Sequence, residues 1–231
     1  MTSVPEPLLP GSSIGLLGGG QLAQMLVLAG HAMGFRFIVL DPTPNCPAAL
    51  AGAKQITAAY DDFDALAELA DACDVVSYEF ENVNADSVAW LEERVYLPQG
   101  SQLLRISQNR LSEKTFLEKL AVPVAPFQKI ITEKDVADAF DMLGGLILKT
   151  VTGGYDGRGQ ARISNTEQIP EAFSVLSQAK TEIVAEQFVK FEREISVIVA
   201  RNCLGESRCF TPAENLHKKN ILNISRIPAR L

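Results

Sequence analysis

Residues 149–160 read Lys-Thr-Val-Thr-Gly-Gly-Tyr-Asp-Gly-Arg-Gly-Gln. The apolar run Leu146-Ile147-Leu148 precedes them and Ala161-Arg162-Ile163 follows, so the stretch is predicted to be a glycine-rich hairpin between two strands. Gly153, Gly154, Gly157 and Gly159 allow tight turning and close approach of backbone amides to a ligand, while Lys149 and Arg158 add fixed positive charge. A polyphosphate requires that combination. A surface hairpin whose glycines serve turn geometry alone is the alternative, and the two cations favour the phosphate site.

The segments around this hairpin extend the same pattern. Pro123 and Pro126 end a helical stretch; Phe127 to Ile131 is predicted as a strand, Thr132 with Asp135 as a capping box, and Val136, Phe140 and Leu143 as one helix face. A helix within Glu167 to Gln178 comes next, then strands at Glu182 to Phe188 and Glu194 to Arg201, with Arg208 to Thr211 as a candidate further strand. Strands joined by hairpins rather than crossover helices imply an antiparallel α+β unit. Upstream, Ser101 to Ala121 reads as two short connecting helices.

Residues 12 to about 100 follow a different rhythm. Ser13 to Leu17 is a short apolar run ending in Gly18-Gly19-Gly20, and Gln21 to Met33 carries Leu22, Met25, Leu26 and Ala29 at helical spacing, closed by Gly34. Arg36 to Leu40, Lys54 to Ala58, Val75 to Phe80 and Val95 to Leu97 are predicted strands. Between them lie a helix over Asp62 to Ala72 capped by Asp61 and a helix from Asn84 to about Glu93. Alternating strands and helices imply a parallel sheet, hence a Rossmann-like domain.

Gly18, Gly20 and Ala23 fit GxGxxA, and Asp41 ends the next strand where a dinucleotide fold places its ribose-binding acid; alone, this argues for an NAD-dependent oxidoreductase. Any doubly wound fold, however, uses glycines where its first strand meets a helix N-terminus. Gln21 offers an amide at that turn, and Glu79, Glu81 and Asn82 stand at the carboxyl end of a later strand, where open parallel sheets bind ligands. For Glu81 and Asn82 a helix cap is the competing reading.

Composition narrows the function classes. The 231 residues are 47% hydrophobic and 21% charged, as expected of a packed protein, and the net charge of −7 argues against nucleic-acid or anionic-membrane partners. No apolar run approaches the roughly 20 residues that span a bilayer, and residues 1–11 lack a signal-peptide pattern, so the expected location is the cytoplasm. Cys46, Cys73, Cys203 and Cys209 form no CxxC pair and are expected to be buried free thiols.

Five ordered blocks resemble the 5-(carboxyamino)imidazole ribonucleotide synthase family of the ATP-grasp superfamily. They are GGGQL at Gly18 to Leu22, YEFENV at Tyr78 to Val83, QNRLSEKTFL at Gln108 to Leu117, LKTVTGGYDGRGQ at Leu148 to Gln160 and AEQFVKFEREISVIVAR at Ala185 to Arg201. ENLHKKNIL at Glu214 to Leu222 matches more loosely. The resemblance implies a tail over residues 1–11, a Rossmann-like pre-ATP-grasp domain over 12–105, linker helices and an α+β ATP-grasp lid over 106–185, and the incomplete start of the large ATP-grasp subdomain over 186–231. It implies ligase chemistry in purine biosynthesis, carboxylating 5-aminoimidazole ribonucleotide with bicarbonate and ATP through carboxyphosphate, usually in a homodimer. A non-catalytic nucleotide-binding protein is the other alternative.

Carried over residue by residue, the resemblance puts Arg110 and Lys149 on the ATP phosphates and makes Gly154, Tyr155, Asp156, Gly157, Arg158, Gly159 and Gln160 a lid loop over them. Glu186, Gln187, Phe188 and Val189 are expected to hold adenine, with a backbone donor and acceptor from Phe188 and Val189; Glu194 is expected on the ribose hydroxyls and His217 near the phosphates. By residue type alone, Glu194 is equally a solvated strand charge and His217 a surface histidine. Tyr155, Asp156 and Arg158 are expected to face bicarbonate and the ribonucleotide as catalytic residues, Arg158 clamping carboxyphosphate and Asp156 orienting the amine. Gln21, Leu22, Glu79 and Asn82 are expected to bind the ribonucleotide. Val151 and Asn109 depart from the family pattern and receive no role. Magnesium is implied, but the family's glutamate and Asn-Glu ligands lie beyond the position of Leu231; no metal ligand is assigned, and the expectation is a C-terminally truncated, inactive chain with exposed sheet edges.

Overall fold

A computed structural model describes residues 7–153, 159–218 and 221–230. The chain divides into two compact units, Met1–Gln108 and Asn109–Leu231.

In the first unit, β1 (Ser13–Leu17), α1 (Gln21–Ala32), β2 (Arg36–Leu40), α2 (Pro47–Leu50), β3 (Lys54–Ile56), α3 (Phe63–Ala72), β4 (Val75–Tyr78), α4 (Ala85–Glu92) and α5 (Gly100–Ser107) follow in order. The strands form a parallel sheet ordered β3-β2-β1-β4. Its inner strands are almost continuously apolar because helices cover both faces. The two-residue period sends Leu17, Leu40 and Val76 into a core with Leu66, Leu69, Val88 and Leu91, while Leu16 and Val39 enter a second core with Ala23, Val27 and Phe37. The order reverses between β1 and β4, so their carboxyl ends frame the switch point where such sheets bind ligands.

Several local expectations need correction here. The buried face of α1 is Ala23, Val27 and Gly30, whereas Leu22, Met25 and Leu26 are exposed. Small residues win that face because the sheet comes so close: a Cβ at Gly30 would lie 2.3 Å from Cζ of Phe37. Gly34 does close the helix, with φ of 86°. The cap of α3 is Asp62, not Asp61; its carboxylate accepts from the amides of Asp64 and Ala65. Residues 95–97 form no strand, although the Tyr96 carbonyl accepts from the Val76 amide at 3.0 Å. Gln99 instead brackets the end of β4, accepting from the Tyr78 amide and donating to the Tyr78 carbonyl, each at 3.2 Å. The short α2, opened by Pro47, was not anticipated.

The second unit contains α6 (Arg110–Lys119), β5 (Phe127–Ile130), α7 (Glu133–Leu143), β6 (Leu146–Thr150), β7 (Gln160–Ile163), a 3-10 turn at Thr166–Gln168 and α8 (Ile169–Ser177). Then come β8 (Ile183–Gln187), β9 (Glu194–Ser196), β10 (Val199–Arg201), β11 (Ser207–Cys209), β12 (Ala213–Lys218) and β13 (Ile221–Arg226). An antiparallel sheet ordered β5-β8-β6-β7 shares a core with α7 and α8 through Leu146, Leu148, Ile163, Ala185, Val136 and Leu176. The Thr132 and Asp135 capping box is present, and the expected hairpin pairs Leu146 with Ile163 and Lys149 with Gln160. The expected single strand from Glu194 to Arg201 is broken: β9 joins a sheet ordered β13-β12-β9, while β10 pairs with β11. Strands have two edges to satisfy, and here the two halves of one apolar run satisfy different partners.

All four cysteines are free, but only Cys46 is buried; Cys203 and Cys209 are exposed, and burial pushes the half-buried Cys73 thiol up to about 11. No helix among the described residues is long and apolar enough to cross a membrane.

The contact at Gly30 sets two effects against each other. Alanine improves helix propensity by about 1 kcal/mol, whereas overpacking a filled site costs about 1–3 kcal/mol. The Phe37 ring is buried and packs edge-on against His31 at 5.6 Å, so it has nowhere to withdraw. Gly30→Ala is expected to lower stability by roughly 1 kcal/mol in urea unfolding; a gain would show that the ring yields.

Candidate functional site

In the second unit, sheet register creates the first cluster. Ile147 of β6 stands opposite Glu186 of β8, and Lys149 lies two residues on, so Lys149 and Glu186 are diagonal neighbours on one face. Lys149 Nζ lies 3.0 Å from Glu186 Oε2. Lys114 Nζ, from α6, lies 3.3 Å from the same oxygen and donates to the Ala125 carbonyl at 3.3 Å. Glu186 is only 8% exposed, and a buried carboxylate stays charged only when opposite charge and hydrogen bonds replace water. Sequence reasoning found Lys149 and Glu186 but missed Lys114. The available signal was its helical spacing from Arg110, four residues apart on one face.

The root of the glycine stretch is clasped by Arg110. Its Nη1 donates to the carbonyls of Thr150 at 2.9 Å and Gly153 at 2.7 Å, and its backbone amide donates to the Val151 carbonyl at 3.0 Å. The two residues left without a role support this arrangement. Asn109 caps α6, its side chain accepting from the Ser112 amide at 2.9 Å. Val151 is buried and its amide donates to the Glu182 carbonyl at 2.8 Å. On the far side, Gly159 has φ of 69° and its carbonyl accepts from the Thr150 amide, while Gln160 is exposed at the start of β7. Gly154, Tyr155, Asp156, Gly157 and Arg158 lie outside the described residues.

Beyond β8 the chain runs along an edge. The Gln187 side chain donates to the Leu143 carbonyl at 3.1 Å, so it ties β8 to the end of α7. The Phe188 amide donates to the Gly145 carbonyl at 2.7 Å, and the Arg162 guanidinium stacks 3.9 Å from the Phe188 ring. The Phe188 carbonyl and the Val189 amide make no hydrogen bond among the described residues; sharing one trans peptide, they point to opposite sides of the chain. Glu194 and His217 are brought together, with Nδ1 3.3 Å from Oε2, an ion pair when the imidazole is protonated.

In the first unit, the switch point is filled by the protein's own groups. Asp41 is buried; Oδ2 accepts from the Gly19 amide and the Tyr60 hydroxyl, and Oδ1 from the Thr43 amide, all at 2.8 Å. Burial alone raises its pKa, but these bonds outweigh burial and hold the carboxyl below its ordinary value. Burial, then the bonded Asp41, pushes the Tyr60 phenol up. Glu79 lies near the amides of Ala23 and Gly20 at the start of α1, which act to lower its pKa, but burial raises it, with Asp41 and Glu81 adding to the rise. A Cβ at Gly18 would lie 2.7 Å from the Phe80 ring, at Gly19 2.3 Å from Cys46 Sγ, and at Gly20 2.9 Å from Glu79 Oε1.

This arrangement gives the oxidoreductase alternative no support. Both Asp41 oxygens accept bonds inside the fold, and a negative Glu79 carboxylate stands beside Gly20, where a dinucleotide's pyrophosphate would need to lie. Gln21 and Leu22 are exposed on the first turn of α1. Exposed Asn82 donates to Glu81 at 3.3 Å, and the helix cap there is Asn84 rather than either. Gln108, also missed, holds this loop by donating to the carbonyls of Glu81 and Val83. A cavity of about 290 Å³ at this edge is lined by Glu79, Phe80 and Glu81 on one side and by Gln99, Leu103 and Ser107 on the other. Among the described residues, no three His, Cys, Asp or Glu side chains converge to hold a metal ion, so magnesium is given no ligand here.

Comparison with known proteins follows this division. A model of the ribonucleotide synthetase preATP-grasp domain matches residues 12–108, and an ATP-grasp domain model matches residues 115–231. The N5-carboxyaminoimidazole ribonucleotide synthase of Brucella melitensis is 44% identical over 227 residues, covering 97% of this chain and 62% of the relative. An ADP complex of an N5-carboxyaminoimidazole ribonucleotide synthetase superposes with a TM-score of 0.92 at 45% identity, covering 100% of this chain and 60% of that one. The Aspergillus clavatus synthase, in complex with ADP and 5-aminoimidazole ribonucleotide, superposes with a TM-score of 0.87 at 29% identity over 96% of this chain and 58% of its own. The chain thus spans about three fifths of the length of the relatives it matches.

The Asp41 network has a pH signature. A carboxyl whose pKa is depressed on folding stabilises the fold above its unfolded value, and that contribution is lost as pH falls through the folded value. Asp41→Asn, which turns an amide donor toward N–H groups, is expected to cost roughly 1–3 kcal/mol at pH 7. The difference from the unaltered chain should shrink below about pH 4. Urea unfolding of both chains between neutral and acid pH checks this.

Proposed function

The chain belongs to the ATP-grasp family, and we propose that its second unit binds ATP and its first unit a 5-aminoimidazole ribonucleotide, for ATP-dependent carboxylation with bicarbonate. The observation that carries this reading is the Lys149–Glu186 pair beside a Val189 amide that has no partner among the described residues. A cation and a buried acceptor on the inner strands of one sheet, with a backbone donor just beyond, suit a nucleotide whose base meets the backbone and whose phosphates need positive charge.

In this proposal Lys149 leaves Glu186 for the phosphates. The Val189 amide donates to the base; the Phe188 carbonyl points the opposite way from the same trans peptide and takes no part. Since the Phe188 amide already serves Gly145, the donor is Val189 alone. Arg110 keeps the root of the glycine stretch in place and contributes charge toward the phosphates, and Glu194, steadied by His217, accepts from the ribose hydroxyls. Gly154 to Gln160 cover the nucleotide. Bicarbonate then attacks the terminal phosphorus, releasing ADP and forming carboxyphosphate; the ribonucleotide's exocyclic amine attacks the carboxyl carbon and displaces phosphate. Such steps depend on positioning and charge stabilisation more than on a protein nucleophile. Tyr155, Asp156 and Arg158 serve bicarbonate and the amine, with Arg158 on the carboxyphosphate. Gln21, Leu22, Glu79 and Asn82 hold the ribonucleotide, Glu79 being the best placed because it lines a cavity at the carboxyl end of β4. Magnesium on the phosphates would neutralise developing charge. A homodimer and a cytoplasmic location complete the proposal.

ATP is expected to raise the melting temperature and NAD to leave it unchanged, because only a ligand of the native state stabilises it, by about 2.7 kcal/mol at a hundredfold excess over Kd. Lys149→Ala should weaken ATP binding by about tenfold or more, the equivalent of one lost hydrogen bond from a charged group. Stabilisation by NAD alone would overturn the reading.

A further inference from the structure

The two lysines on Glu186 Oε2 are held differently. Lys149 Nζ bonds only to Glu186 among the described residues, and its side chain is 24% exposed. The side chain of Lys114 is 13% exposed; its ammonium has a second acceptor in the Ala125 carbonyl and lies 5.3 Å from the centre of the Phe127 ring. Lys114 is thus built in, while Lys149 is free to turn outward. The other carboxylate oxygen, Oε1, accepts no hydrogen bond among the described residues and is not among their fully buried unsatisfied atoms.

We infer that Lys114 is a positioning residue for nucleotide recognition: it holds Glu186 in place and oriented when Lys149 moves to the phosphates, leaving Oε1 to accept from the exocyclic amine of adenine. The inference rests on the ATP-binding reading above. Its physical basis is the cost of stranding a buried carboxylate. With no Lys114, releasing Lys149 would leave a buried carboxylate without a counter-charge, so Glu186 would either turn away from the base or retain Lys149 and withhold it from the phosphates. With Lys114 in place neither happens, because one counter-charge remains on Oε2. Lys114 itself touches no nucleotide atom in this account and acts through Glu186.

The test compares two nucleotides on the full chain by calorimetric titration. ATP carries an amine where inosine triphosphate carries a carbonyl, so only ATP benefits from an acceptor at Oε1. The unaltered chain is expected to prefer ATP. Lys114→Met should reduce that preference by about tenfold, the size of one hydrogen bond to a charged group. Lys114→Arg, which restores the charge, should recover much of it. A lysine that merely supports the fold would weaken both nucleotides alike, so an unchanged ATP-to-inosine-triphosphate ratio overturns the inference. If circular dichroism shows Lys114→Met unfolded, Lys114→Gln, which keeps a donor for Ala125 but no charge, must show the same loss of preference; an unchanged ratio there overturns it equally. Failure of the unaltered chain to bind ATP would refute the functional reading itself, a result distinct from either.

Discussion

Antiparallel pairing of β6 with β8 is the constraint on which the second unit turns. Because Ile147 opposes Glu186, the two-residue period delivers Lys149 to the same face, and a lysine and a glutamate 37 positions apart meet without any loop to guide them. A one-residue slip would send Lys149 into the core and Leu148 to the face, so the apolar contacts of Leu146 and Leu148 enforce the charge cluster as firmly as the charges do. The hairpin to β7 and the Arg110 clasp then build outward from a strand whose orientation is already determined.

The first unit solves a different problem. A parallel sheet gathers strand ends and a helix N-terminus at one rim, which concentrates unsatisfied amides there. Asp41 and Glu79 take up part of that demand from within. They face different amides: Asp41 accepts from Gly19 and Thr43, and Glu79 lies near Gly20 and Ala23. Their pKa values move in opposite directions because Asp41 gains enough bonds to offset burial and Glu79 does not.

Much of this was legible in the sequence where the signal is local and periodic. The alternation of strands and helices, the change to hairpins, the Thr132 box and Lys149 all follow from residue type and spacing. The misses share a cause: they depend on a partner far along the chain. Gln99 bracketing Tyr78, Gln108 holding Glu81 and Val83, and Lys114 reaching Glu186 are ordinary polar residues in sequence, given meaning by residues 21 to 72 positions away. The face of α1 was misjudged because hydrophobicity was weighed without closeness of approach; Gly30 and Ala23 pack where larger side chains do not fit. Cys203 and Cys209 were expected inside because they adjoin apolar runs, yet those runs are short strands with exposed side chains.

The triplet Gly18-Gly19-Gly20 carries a lesson about reading motifs. Gly18 and Gly19 are demanded by neighbours in the same chain, the Phe80 ring and Cys46, whereas at Gly20 only the tip of the Glu79 side chain would have to move. A pattern of glycine spacing therefore marks, at Gly18 and Gly19 of this fold, interior crowding rather than a ligand's approach. The question to put to such a pattern is what stands opposite the missing side chains, since a bound phosphate and a packed phenyl ring leave the same mark in the sequence.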